Sequence, residues 1–159
     1  VALLKRIKSN LKALDINSII GSILSQPEVK KFIIELNTKG QPSSQLFEQG
    51  IDSLGISLGN YAGTTIEGTS NFEGKKEKGQ RFDHITLEDT GDFYNSFVVT
   101  VGKDKITIEA DPIKEDTNLL VEYGNDILGL TDQNLQLVID HLRDGIKKEF
   151  KAAVLRGIR

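Results

Sequence analysis

Five residues within ten positions are the best placed for chemistry in this chain: the acids Asp83, Glu88, Asp89 and Asp92, and His84 among them. Paired carboxylates can run glycoside hydrolysis, and clustered ones can hold a hard cation. The spacing argues for neither. Glu88 and Asp89 are adjacent, Asp89 and Asp92 suit helix capping, and the D-x-[DN]-x-[DN]-G loop is absent. The second histidine, His141, is far away in sequence, and neither histidine carries a motif that supplies triad partners. There is no H-E-x-x-H and no dinucleotide fingerprint, and Lys75-Lys76-Glu77-Lys78-Gly79 lacks the spacing of a phosphate loop. Without cysteine, disulfides and cysteine-based zinc sites are excluded. The expectation is a protein with no catalytic residue, no metal and no cofactor. A small carboxylate-dependent hydrolase, for example a peptidoglycan-active domain built on Asp83–Asp92, is the alternative; a host-encoded binding module is another.

The elements around these acids follow from periodicity. Leu87 to Phe97, L-E-D-T-G-D-F-Y-N-S-F, reads as a short helix running into a hairpin. Asp89 or Thr90 is the expected N-cap, and Asp92 suits the positive end of the helix dipole. Phe93 and Phe97 share a face and are expected to be buried against the C-terminal helix. Residues 82–87 alternate as a short strand. Phe97–Val101 and Lys105–Ala110 alternate around a Gly102-Lys103-Asp104 turn, the clearest hairpin in the chain. Upstream, Leu4, Ile7, Leu11 and Leu14 mark an amphipathic helix, and Ile16 to Leu24 continue it. Ser25-Gln26-Pro27-Glu28 fits a capping box ahead of the stripe Val29, Phe32, Ile33, Leu36. Leu46-Phe47 is a strand or a short helix. Downstream, Asp116 is the expected cap of a helix over 117–123 that Gly124 stops. Thr131 caps a last helix with the stripe Leu135, Val138, Ile139, Leu142, Ile146, Phe150, Val154, where Gly145 points to close packing. The fold class is α+β: a small antiparallel β-sheet with helices packed on one face, and amphipathic helices at both ends.

Residues 50–82 are rich in Gly, Ser, Thr and Asn and have no sustained period. The expectation is a long extended arm, open to two readings: a plain surface loop, or an arm that orders against a neighbour. The domain plan is one domain over 1–159, with N-terminal helices at 1–45, the arm at 50–82, the cap helix and hairpin at 83–111 and the C-terminal helix at 131–155. Charge divides the chain differently. Residues 1–14 and 141–159 carry +4 each, so a net charge of −3 leaves −11 between them. Basic ends on an acidic body are solvated helix faces or contacts to an acidic partner or nucleic acid. Sequence-reading DNA recognition calls for a basic balance that is absent here. No apolar run reaches the length of a membrane span. The opening V-A-L-L-K-R-I-K places its basic residues after its apolar ones, unlike a secretory signal.

Several weak signals occur in a telling order. G-I-D-S-L-G-I-S-L-G-N-Y-A-G-T-T (Gly50 to Thr65) is followed by K-K-E-K-G-Q (Lys75 to Gln80), then by Leu87, Thr90, Gly91, Phe93 and Ser96 leading into Phe97 and the hairpin. Tyr123-Gly124 and Gly129-Leu130-Thr131 complete the series. Over about residues 46–155 this resembles the virion morphogenesis, or tail-completion, proteins of tailed bacteriophages and prophages. The resemblance implies a non-enzymatic head–tail joining component, made in the host bacterial cytoplasm and residing in the neck or tail of the virion. It implies a ring of identical copies contacting neighbouring phage head–tail or tail proteins, with DNA at most passing through the channel and no membrane partner. The arm is the expected source of partner contacts, through Tyr61, Thr64, Thr65, Lys75, Lys76 and Lys78.

Overall fold

The computed structural model describes residues 2–103, 105–115 and 117–158, with backbone alone for residues 157 and 158. The fold is α+β, with helices, two-stranded antiparallel sheets and two hydrophobic clusters. The first cluster grows from helix α3 (Pro27–Asn37), whose stripe buries Val29, Ile33 and Leu36. Each such side chain contributes about 1.5–3 kcal/mol. Helix α2 (Ile16–Leu24) adds Ile23 and Leu24, and α7 (Asp132–Ile158) adds Val138. Strands β3 (Val98–Val101) and β4 (Ile106–Glu109) pair Val99 with Ile108 and Val101 with Ile106. Val99 is buried in the first cluster, and Ile108 packs against both clusters. Asp104, in the hairpin turn, lies outside the described residues. Gly145 has the packing role its position in α7 called for: a Cβ there would stand 2.7 Å from Ile23 Cδ1. Helix α1 (Ala2–Lys12) lies along α7 without burying a side chain fully; Asn10 Nδ2 donates to the Ala153 carbonyl at 3.4 Å.

Leu46, Leu87, Phe93, Tyr94, Phe97, Leu119 and Ile127 form the second cluster. Phe93 and Phe97 are buried and meet edge-on, with ring centres 5.1 Å apart. Their surroundings differ from expectation, since among the described residues none of α7 joins this cluster. Its walls come instead from the π-wound turn Gln45–Gln49, which settles the Leu46-Phe47 ambiguity, from α6 (Leu119–Tyr123) and from the 3-10 turn Asn125–Ile127.

Three buried amides join the two clusters. Asn37, Gln45 and Asn134 are all fully buried. Asn37 donates to the Ile127 carbonyl and accepts from the Gly129 N–H, both at 3.1 Å. Gln45 donates to the Gly129 carbonyl at 2.9 Å and accepts from the Thr131 N–H at 2.8 Å. Asn134 Nδ2 donates to the carbonyls of Leu36 (3.1 Å) and Ser43 (2.9 Å). A buried polar group costs stability unless it is bonded; every amide atom of this clasp except Asn134 Oδ1 has a partner, so the clasp fixes how α3, the π-turn and the start of α7 meet. Thr131 caps α7 as expected, accepting from the Asn134 N–H at 3.3 Å.

Local expectations fail where a side chain has a better partner. Pro27 opens α3, but the capping box does not form. Ser25 closes α2 by donating to the Gly21 carbonyl at 2.7 Å, and Gln26 holds the N-cap without a side-chain bond. In the opening motif, helix α5 is only Asp92–Asn95, and Gly91, at φ +91°, is its N-cap. Thr90 stands one residue earlier, accepting from the Asp92 N–H at 3.3 Å, while Asp89 ion-pairs with lysines. Residues 82–87 form no strand, because their backbone bonds go elsewhere: Ile85 N–H to the Gly59 carbonyl at 2.9 Å, and Thr86 N–H to the Tyr61 hydroxyl at 3.0 Å. The expected cap Asp116 lies outside the described residues. Asn118 caps α6, accepting from the N–H of Leu120 (3.0 Å) and Val121 (3.4 Å), and Thr117–Asn118 is strand β6, paired with β5 (Ile113–Lys114).

Residues 50–82 are not an extended arm either. A bridge between Ile51 and Ser57 closes a small loop. Helix α4 (Gly63–Glu67) and the hairpin β1 (Gly68–Thr69) with β2 (Phe72–Glu73) then form a compact excursion. Its two backbones meet at glycines: a Cβ on Gly74 would stand 2.3 Å from the Gly68 nitrogen. Among the described residues, no helix is long and apolar enough to cross a membrane.

Candidate interaction surfaces

The excursion folds back onto residues 86–89 and leaves a cleft of about 420 Å³ against Lys114 and α6. Lys75 is at its centre. It is buried, donates to the Glu88 carbonyl and to Gln80 Oε1 (3.2 Å), and lies over the Tyr61 ring at 4.6 Å. Tyr61 in turn bonds Thr86 through its hydroxyl, at 3.0 Å to Thr86 Oγ1. Gln80 Nε2 donates to the Asp89 carbonyl at 2.7 Å. The Asp89 carboxylate takes Lys78 at 3.4 Å and Lys114 at 3.2 Å. Burial alone would raise its pKa, but the hydrogen bonds and charges of Lys114 and Lys78 outweigh that and hold it below the ordinary value. Across the cleft, burial and then the neighbouring Glu122 push the Tyr123 phenol up to about 12. The arrangement is a set of satisfied polar ties, suited to holding the excursion in place.

Of the six residues expected at partner contacts, Tyr61, Thr65, Lys75 and Lys78 line this cleft. Thr64 is exposed on α4 outside it, and Lys76 is exposed and paired with Glu67 at 3.2 Å. Of the motif residues, Leu87, Phe93 and Phe97 are buried, Gly91 and Ser96 are half-buried and Thr90 is exposed. Leu87 is buried at φ +59°, a left-handed conformation that costs a leucine about 1–3 kcal/mol. Ser96 Oγ donates to the Phe93 carbonyl at 2.7 Å and accepts from the Asp111 N–H at 2.9 Å, tying α5 to the end of the hairpin. Lys114 and the buried Tyr94, whose hydroxyl donates to the Thr86 carbonyl, were not singled out by sequence. Nothing in their local pattern marks them.

The four acids are dispersed among separate partners. Asp83 pairs with Arg81 at 2.9 Å and with His84, Glu88 with Lys39 at 3.0 Å, Asp89 with the two lysines, and Asp92 with Thr90 at 2.6 Å. His84 uses its other nitrogen on the Phe47 carbonyl at 2.9 Å, and His141 is exposed beside Phe32. Among the described residues, no three His, Asp or Glu side chains converge as metal ligands.

A second surface covers the first cluster. The α7 stripe does not end in the core: Leu135, Ile139 and Phe150 remain 44 %, 40 % and 38 % exposed. Three shallow apolar grooves run together there. Ile20 lines two of them and Ile106, 39 % exposed, lines two. The band therefore runs from the hairpin across α2 to the outer half of α7.

The chain matches no family model, no curated protein and no solved structure. What the two surfaces do is thus argued from their own geometry and chemistry.

Proposed function

We propose that this chain is a structural, non-enzymatic virion component of a tailed phage, a head–tail connector or tail-completion protein that works as a ring of identical copies. The observation that carries the reading is the apolar band. Leu135, Ile139 and Phe150 continue the α7 stripe into the open and merge with Ile20 and Ile106. Contiguous apolar surface of this kind marks an interaction site, and a second copy is the simplest cover. The ordered resemblance over residues 46–155 supports the same reading. The pairing of each acid between Asp83 and Asp92 with its own partner leaves the hydrolase alternative without an observation in its favour.

The test is light scattering behind size exclusion, with negative-stain electron microscopy across a concentration series. Rings of uniform size are the expected result. A chain that stays monomeric at the highest attainable concentration and hydrolyses peptidoglycan overturns the reading.

A further inference from the structure

We propose that neighbouring copies meet through two different faces: the basic-rimmed apolar groove on α2 and α7 of one copy receives the acidic knob formed by α6 and the β5–β6 hairpin of the next. This rests on the ring reading and specifies which surfaces close the ring.

The groove is lined by Ile20, Ile139, Leu142, Ile146 and Phe150, with Arg143 and Lys147 on its rim. The adjoining groove, which shares Ile20, adds Lys103 and Lys105. Among the described residues, no acid lines either one. Arg143 and Lys147 are engaged with Asp140 (3.0 Å) and Asp144 (3.8 Å) on their own helix. Exposed pairs of this kind are worth at most about 1 kcal/mol, so an acid arriving from outside can exchange with them.

The knob has the complementary character. Val121 on α6 is 83 % exposed, the most exposed large apolar side chain among the described residues, and Ile113 on β5 is 60 % exposed. Glu115 and Glu122 stand beside them in the chain and line the cleft with Glu73; the lysines of that cleft, Lys78 and Lys114, are paired with Asp89, and Lys75 is bonded to the Glu88 carbonyl. Glu115 lies in the two-residue hairpin loop at φ +49°, where glycine is the cheaper residue. A carboxylate is thus kept at the hairpin tip against the local conformational preference.

The two faces belong to different parts of the molecule. The groove lies over the first cluster and the knob over the second. Among the described residues, none of α6 enters the first cluster, none of α7 enters the second, and none lines both surfaces. Placing the groove against itself would gather the Arg143 and Lys147 of both copies at one contact. Groove against knob sets them against Glu115 and Glu122 and covers Val121. A contact between unlike faces is heterologous and repeats head to tail, the type that closes into a ring.

Complementation in a mixture tests this. Val121→Asp removes the knob and keeps the groove; the double change Ile139→Asp, Phe150→Asp removes the groove and keeps the knob. All three positions are exposed, and circular dichroism with a melting curve verifies folding. Each variant alone is expected to stay monomeric, and an equimolar mixture to give a one-to-one dimer and nothing larger. Arg143→Glu with Lys147→Glu is expected to weaken assembly at least tenfold, and Glu115→Lys with Glu122→Lys in the same chain to restore it. Rings from the single variants as good as those of the wild type overturn the assignment of faces and leave the ring reading intact. A mixture that remains monomeric overturns the pairing of unlike faces. A wild-type chain that never assembles overturns the ring reading and this inference together.

Discussion

The body around α3 and α7 and the excursion at residues 59–80 are held by opposite means. In the body, apolar stripes form the first cluster, and three fully buried amides set its register against the second. The excursion supplies no residue to either cluster, and its only buried residues are Gly74 and Lys75. It is kept down by Lys75 on the Glu88 carbonyl, Gln80 on the Asp89 carbonyl, Tyr61 on Thr86 and an ion pair from Lys78 to Asp89. A region with little apolar burial opens at a lower free energy than the core. The body should therefore unfold as one unit, and the excursion should lift away without it. This separates a rigid frame from a flap that can release without it.

The comparison can be broken most directly in the clasp. Asn37→Ala strands the Ile127 carbonyl and the Gly129 N–H inside the protein, and unsatisfied buried groups cost about 1–3 kcal/mol each. The expected loss is about 3 kcal/mol, read as a lower urea midpoint at unchanged slope; a loss below about 1 kcal/mol would mean that the amides do not govern the body. Next in size, Gly145→Val pushes a side chain into Ile23. Overpacking of this kind costs about 1–3 kcal/mol, so the melting temperature should fall while amide exchange in 59–80 stays as it was. Lys75→Met reverses that pattern. Global stability should stay within about 1 kcal/mol, while exchange across 59–80 accelerates about tenfold; a matching fall in global stability would show that the excursion is part of the body after all. Smallest is the effect of acid. Because the Asp89 pKa is lowered on folding, its ties to Lys78 and Lys114 stabilise the protein above its ordinary value of 3.8 and are lost as the pH falls below it. Exchange in the excursion should rise in acid before the body responds, and Asp89→Asn should produce the same rise at neutral pH.

These two regions also differ in how far they can be read from sequence. The stripe Val29, Ile33, Leu36 and the alternation around Val99 and Ile108 are periodic in the chain itself, so α3 and the hairpin are legible. Thr131 and Gly145 in α7 carry their roles at single positions, as a cap and a close contact. The excursion has no period, so its glycine-rich composition reads as an extended arm; its shape comes from ties to residues 84–89. Four of the six residues expected at contacts do line one cleft, because they sit on that excursion. Lys114 does not stand out, because its meeting with Asp89 joins segments that are distant in the chain.

Sequence by itself determined the α+β class, the main helices and the hairpin, because helix and strand periods are local and each apolar stripe needs a buried face. It also determined the burial of Phe93 and Phe97. Tertiary structure alone decided that those rings face α6 and the π-turn, that Asn37, Gln45 and Asn134 are interior, and that the outer α7 stripe stays open. The physical reason is common to all three. An amide or an apolar stripe has the same local pattern whether it ends buried or exposed, and only the carbonyls, rings and helices brought to it from elsewhere in the chain settle which.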